Sequence, residues 1–138
     1  MSAVNVRTGL VERLRTIQGL RVLTAEPMTL HNTPAAIVSL SGGTLNAASQ
    51  VKSRTWRFAV RVCVAFQDNV IAEDQLVPYA DSVTDAILAD LTLGTRANVV
   101  PQIEMSSEGP DGYYTFGDGQ NAVTFRSIVF RFDIRDKL

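Results

Sequence analysis

The sequence predicts an α+β fold: a mixed, mostly antiparallel β-sheet with two helices packed on one face, as a single domain over residues 1–138. Three observations carry this. Residues 55–67 carry a large apolar side chain at every second position. Residues 74–91 repeat apolar side chains at helical spacing. The closing third reads as a β-hairpin whose return strand alternates again. A hydrophobic content of 46% suffices for one core, and 20% charged residues argue against disorder.

In chain order, Val6, Leu10, Leu14 and Ile17 fall on one face of a first helix. Asn5 is its expected N-cap and Gly19 its stop, while Gly9 inside it weakens the helix by roughly 1 kcal/mol against Ala. Residues 21–24 form a short strand candidate. Residues 35–40 follow Pro34 as another, ended by Ser41, Gly42 and Gly43. The stretch 42–54 is polar and small, either a mobile loop or the splayed tip of a hairpin.

The long strand 55–67 places Trp56, Phe58, Val60, Val62, Val64 and Phe66 on one face. Arg57, Ala59, Arg61, Cys63 and Ala65 fall on the other. Leu76, Ala80, Val83, Ile87 and Leu91 line the inner face of the second helix, with Pro78 placed near its start and Gly94 at its end. Glu73, Asp74 and Asp81 suit the N-terminal end of that helix electrostatically. Residues 99–105 form a strand interrupted by Pro101, which points to an edge position or a bulge. Residues 113–116 and 122–134 are the arms of the closing hairpin, and Ile128, Phe130, Phe132 and Ile134 share one face of the second arm.

Composition excludes several functions. No apolar run approaches the ~18 residues of a bilayer span, and no secretory signal opens the chain, so a cytosolic origin is expected. The single cysteine, Cys63, fits a reducing compartment. A net charge of −1 gives no general attraction to nucleic acid. That charge is segregated, however: residues 1–67 carry +6, residues 68–95 carry −6 and the remainder −1.

Catalytic chemistry finds little to use. His31 is the only histidine, in a loop far in sequence from Cys63, and Cys63 reads as a small buried strand residue. One His and one Cys make a zinc site of the usual kind improbable. The run Gly117-Asp118-Gly119-Gln120-Asn121-Ala122 matches a loose dinucleotide pattern, but strand residues follow it where that pattern needs a helix. Asp111 and Asp118 sit beside glycines, where turns favour Asp. No catalytic residue, cofactor or metal is expected.

An assembly surface remains. Arg57, Arg61, Arg131 and Arg135 oppose the apolar faces of their strands, and Asp74, Asp81 and Asp85 belong to the acidic helix. Tyr113 and Tyr114 add aromatic surface of the kind enriched at interfaces, and Arg54 stands at the start of the long strand. If the two charges cannot meet within one subunit, they meet between copies, head to tail, and such contacts close into rings when the rotation allows. The alternative is that the acidic helix lies beside basic strands of its own subunit.

The order of elements resembles the tail terminator and tail-completion (neck) proteins of tailed bacteriophages. The likeness lies in the opening helix, in Thr33-Pro34-Ala35-Ala36-Ile37-Val38, and in Trp56-Arg57-Phe58-Ala59-Val60-Arg61-Val62. The helix over 79–91 and the closing Phe125-Arg126-Ser127-Ile128-Val129-Phe130-Arg131-Phe132 complete it. These are patterns of element and polarity over nearly the whole chain. The resemblance implies a hexameric ring that caps the tail tube, stops its polymerisation and joins the tail to the head connector. Implied partners are the tail tube protein on one side and the connector or stopper protein on the other. DNA passes through the ring unread, and the subunit is assembled in host cytoplasm into the virion. The loops 42–54 and 106–121 are the expected contact elements. Another neck or tube subunit of the same particle, or a small-ligand-binding α+β domain, are the alternatives.

Overall fold

A computed structural model describes residues 3–24, 33–46, 53–66, 69–94, 98–117 and 119–137. Its elements are α1 (Ala3–Leu14), β1 (Arg21–Leu23), β2 (Ala35–Asn46), β3 (Ser53–Ala65), α2 (Asn69–Leu88), β4 (Asn98–Val99), β5 (Glu104–Ser106), β6 (Tyr113–Phe116) and β7 (Val123–Lys137), with short 3₁₀ turns at Gly109–Asp111 and Gly119–Asn121. The sheet runs β1-β2-β3-β7, and β4, β5 and β6 share the far edge of β7. Only the β1–β2 pairing is parallel among the described strands. This is the expected mixed, mostly antiparallel sheet, and both helices pack on one of its faces.

Alternation decides which face is which. Phe58, Val60, Val62 and Val64 of β3, and Phe130, Phe132 and Ile134 of β7, are buried together with Ala36 and Val38 of β2. Val6, Leu10 and Leu14 of α1 and Ala72, Leu76, Val83 and Ile87 of α2 close over them. Register pairs Val60 with Phe130 and Phe58 with Phe132, so aromatic and branched side chains from neighbouring strands fill one layer. The opposite face carries a smaller core of Ala35, Ile37, Cys63, Phe116 and Phe125. Cys63 is thus the small buried strand residue that its position predicts.

Several boundaries differ from expectation. The first helix starts at Ala3, so Asn5 stands inside it and not at its N-cap position. It ends at Leu14, before Gly19, which stands in the left-handed region at φ +83°. Strand β2 does not end at Gly42 and Gly43; it runs to Asn46, with one extra residue inserted between Leu40 and Gly42. Glycine is needed there because a Cβ on Gly43 would lie 2.6 Å from the Thr55 carbonyl oxygen. The described parts of the stretch 42–54 are therefore strand, belonging to β2 and β3, and residues 47–52 lie outside the described residues.

The second helix starts at Asn69, which leaves Pro78 in its interior and puts Glu73 and Asp74 beyond its first turn. It ends at Leu88. Asp90 then organises the chain by accepting from the backbone N–H groups of Thr92 (3.1 Å) and Gly94 (2.8 Å) and from the Thr92 hydroxyl (2.6 Å). Those bonds hold the Asp90 carboxyl below its usual range, the Thr92 hydroxyl contributing most. Pro101 separates β4 from β5 on the sheet's edge, as its missing N–H requires.

Candidate assembly surface

The basic residues expected on the open face of the sheet are there, and most are engaged within the subunit. The Arg57 Nε donates to Asp133 Oδ1 at 3.1 Å, a bond that raises the Arg57 pKa. Arg131 grips Asp111 with two parallel bonds of 2.7 and 2.9 Å. Arg61 donates to the Ser127 hydroxyl at 2.9 Å and to the Pro110 and Asp111 carbonyls, and its guanidinium stacks 4.7 Å from the centre of the Tyr114 ring.

A fourth arginine, not singled out by sequence, completes this arrangement. Arg126 emerges beside α2, donates to Glu73 through both Nε (2.9 Å) and Nη2 (2.6 Å), and reaches the Ser107 and Gly112 carbonyls. Its guanidinium also lies 5.0 Å from the centre of the Tyr113 ring. Ser127 adds its hydroxyl to the Asp111 carbonyl and its backbone N–H to the Gly112 carbonyl. Arg61, Arg126 and Arg131 therefore clamp the turn 107–112 onto the sheet. The middle of the predicted contact loop 106–121 is fastened structure; its Asp118 lies outside the described residues.

Polar-turn chemistry at Gly109, Pro110, Asp111 and Gly112 is legible in the sequence. Its arginine partners stand 14 to 50 positions away and carry no local signal. Arg131 holds the Asp111 carboxyl below its usual range, with burial working the other way. Tyr114 packs edge-on against Phe116 at 4.4 Å, so it belongs to the smaller core. Tyr113 stays exposed, edge-on to Phe66 at 5.6 Å.

The acidic segment divides in two. Glu73 joins Arg126, which realises within the subunit the alternative of acid beside base. Asp74, Asp81 and Asp85 lie on the exposed face of α2 and form no ion pair with a described residue. That face is not purely polar, because Val70, Val77 and Leu88 share it and are 68%, 60% and 45% exposed. Arg54 stacks 5.1 Å from the centre of the Trp56 ring, and Arg135 is exposed near the end of β7, in register with Thr55 and Asn98.

Two open clefts flank the helical layer. One, of about 470 Å³, runs along the first half of α2 and is lined by Pro34, Val64, Ala65, Ile71, Pro78 and Tyr79, with Asp74 and Gln75 at its polar side. Asp74 is its one carboxylate, Thr33 and Tyr79 bring hydroxyls, and no histidine, cysteine or lysine is among the described residues that line it. The other, of about 400 Å³, lies between the start of α1 and β2. Cys63 lines neither; burial pushes its thiol up to about 12, and such a thiol is no nucleophile at neutral pH. His31 lies outside the described residues. No cluster of three or more metal-ligating side chains occurs among the described residues, and no described helix is long and apolar enough to cross a membrane. The 3₁₀ turn at Gly119–Asn121 leads into β7, so no helix N-terminus follows the glycine pair there. No protein-family model matches the chain, and no curated protein matches it either.

Proposed function

We propose that the chain is a structural subunit that works by docking against other protein surfaces, as a ring-forming tail terminator or tail-completion protein of a tailed bacteriophage. The carrying observation is the outer face of α2. Val70, Val77 and Leu88 stay exposed beside Asp74, Asp81 and Asp85, while the helix's inner face is consumed by the core. Apolar side chains aligned on one helix face, where an amphipathic helix would place polar ones, mark a surface that another protein covers. The sheet and its core separate this acidic layer from Arg57, Arg61 and Arg131 on the open face, so the two cannot meet within one molecule.

The phage role comes from the resemblance in element order and polarity. In that role the ring stops the tail tube and meets the head connector, with the chain supplying shape and charge and no chemistry. Light scattering and negative-stain microscopy of the purified protein test it. Closed rings are expected. Long tubes would favour a tube subunit instead, and a monomeric mass at high concentration and low salt would overturn the ring. Activity or ligand binding lost specifically in His31→Ala would replace an assembly role by a ligand-binding one.

A further inference from the structure

The exposed face of α2 is ordered as two adjacent lines. At 100° per residue, Val70, Val77 and Leu88 fall within a narrow strip, and Asp74, Asp81 and Asp85 fall just beside it. A partner must therefore offer apolar contact alongside positive charge. A second α2 cannot, since a two-fold contact would set aspartate against aspartate.

The same chain has a surface with the missing properties. The cleft of about 400 Å³ between α1 and β2 is walled by Val38 and Phe58, and Val4 and Leu40 stand at its mouth, 59% and 52% exposed. Arg7 lines it and pairs with no acid among the described residues. The cleft sits over β2, whereas α2 packs over β3 and β7, so the two surfaces are displaced from one another across the helical layer.

We propose that the outer face of α2 seats in the α1–β2 cleft of a second copy, its apolar line against Val4 and Leu40 and its aspartates toward Arg7. This rests on the ring reading and names the two surfaces that make the ring. The contact joins unlike patches, so each subunit offers one and accepts the other. It propagates around a closed circle when the rotation permits. Apolar contact supplies most of the affinity, and the charges set orientation.

The test uses full-length chains and measures assembly by light scattering and microscopy, with melting temperature as the folding control. Val77→Asp on the helix and Arg7→Glu at the cleft are each expected to weaken self-association about tenfold or more without lowering the melting temperature. Placing Asp81→Arg in the same chain as Arg7→Glu should restore much of it. Chains carrying Val77→Asp, mixed with chains carrying Leu40→Asp, should pair but not close, since each retains one sound surface. A Val77→Cys, Leu40→Cys chain should cross-link between copies on oxidation, with buried Cys63 taking no part. Rings that form equally well in Val77→Asp and Arg7→Glu would overturn this contact and leave the ring standing. Charge reversal that restores nothing would overturn the Arg7 pairing. A wild-type chain that never associates would overturn both readings.

Discussion

Arg61, Arg126 and Arg131 converge on one turn, and partial exposure limits what each contributes. The Arg131 and Asp111 side chains are 35% and 21% exposed, so water screens part of their attraction despite the two parallel bonds. Arg131→Met is expected to lower stability by about 1 kcal/mol, measurable by urea unfolding with the fluorescence of Trp56, the only tryptophan, as the signal. The sign of the pH dependence follows from the lowered Asp111 pKa. Its stabilisation is fully present above the ordinary value of 3.8 and is lost as pH falls through the lower folded value. The parent should therefore lose more stability than Arg131→Met as pH drops below about 4. Gly112 has no room for a side chain, since a Cβ there would overlap both the Ser107 carbonyl oxygen and Arg126 Nη1. Gly112→Ala should cost about 2 kcal/mol in the same measurement. Burial raises the Cys63 pKa, so a thiol reagent at mildly alkaline pH should label this residue only after denaturant is added. Rapid labelling of the native protein would contradict the buried second core.

At the level of elements, α2 shows what a pattern can and cannot announce. Its inner face was legible because Leu76, Val83 and Ile87 repeat at helical spacing, and all three are buried. Its start was not, because a proline reads as a beginning and Pro78 stands in the interior of Asn69–Leu88. Tertiary packing of Ala72 and Leu76 outweighs the N–H that Pro78 lacks. Pro78→Ala is therefore expected to raise the thermal midpoint, by the equivalent of about 1 kcal/mol or more. A lower midpoint would mean that the proline ring packs where alanine cannot. Strands β3 and β7 were legible nearly to their ends, since strict alternation admits one register against a core. The continuation of β2 past Leu40 was hidden because Ser41, Gly42 and Gly43 are turn formers in isolation. Only the opposing β3 makes them a strand with an inserted residue. The candidate surface was half legible: the aspartates of α2 could be named, but Arg57, Arg61 and Arg131 could not be known to be engaged inside the subunit.

For the whole molecule, the larger core sets stability. Phe58 is 1% exposed and lies in register with Phe132 in the middle of the sheet. Phe58→Ala should remove about 3–5 kcal/mol, a large share of the roughly 5–15 kcal/mol that a domain of this size possesses. Loss of cooperative unfolding, or a midpoint far below the parent's, would be the readout. Strand β7 has a consequence in time as well as in space. It comes after every strand it pairs with, and it alone joins β3 to β4, β5 and β6. A chain still emerging from the ribosome can make the β2–β3 hairpin, but it lacks half the floor on which α2 rests. Under the proposed contact, the outer face of α2 is set in place only once β7 has been made, so copies that still lack β7 are held back from pairing with one another.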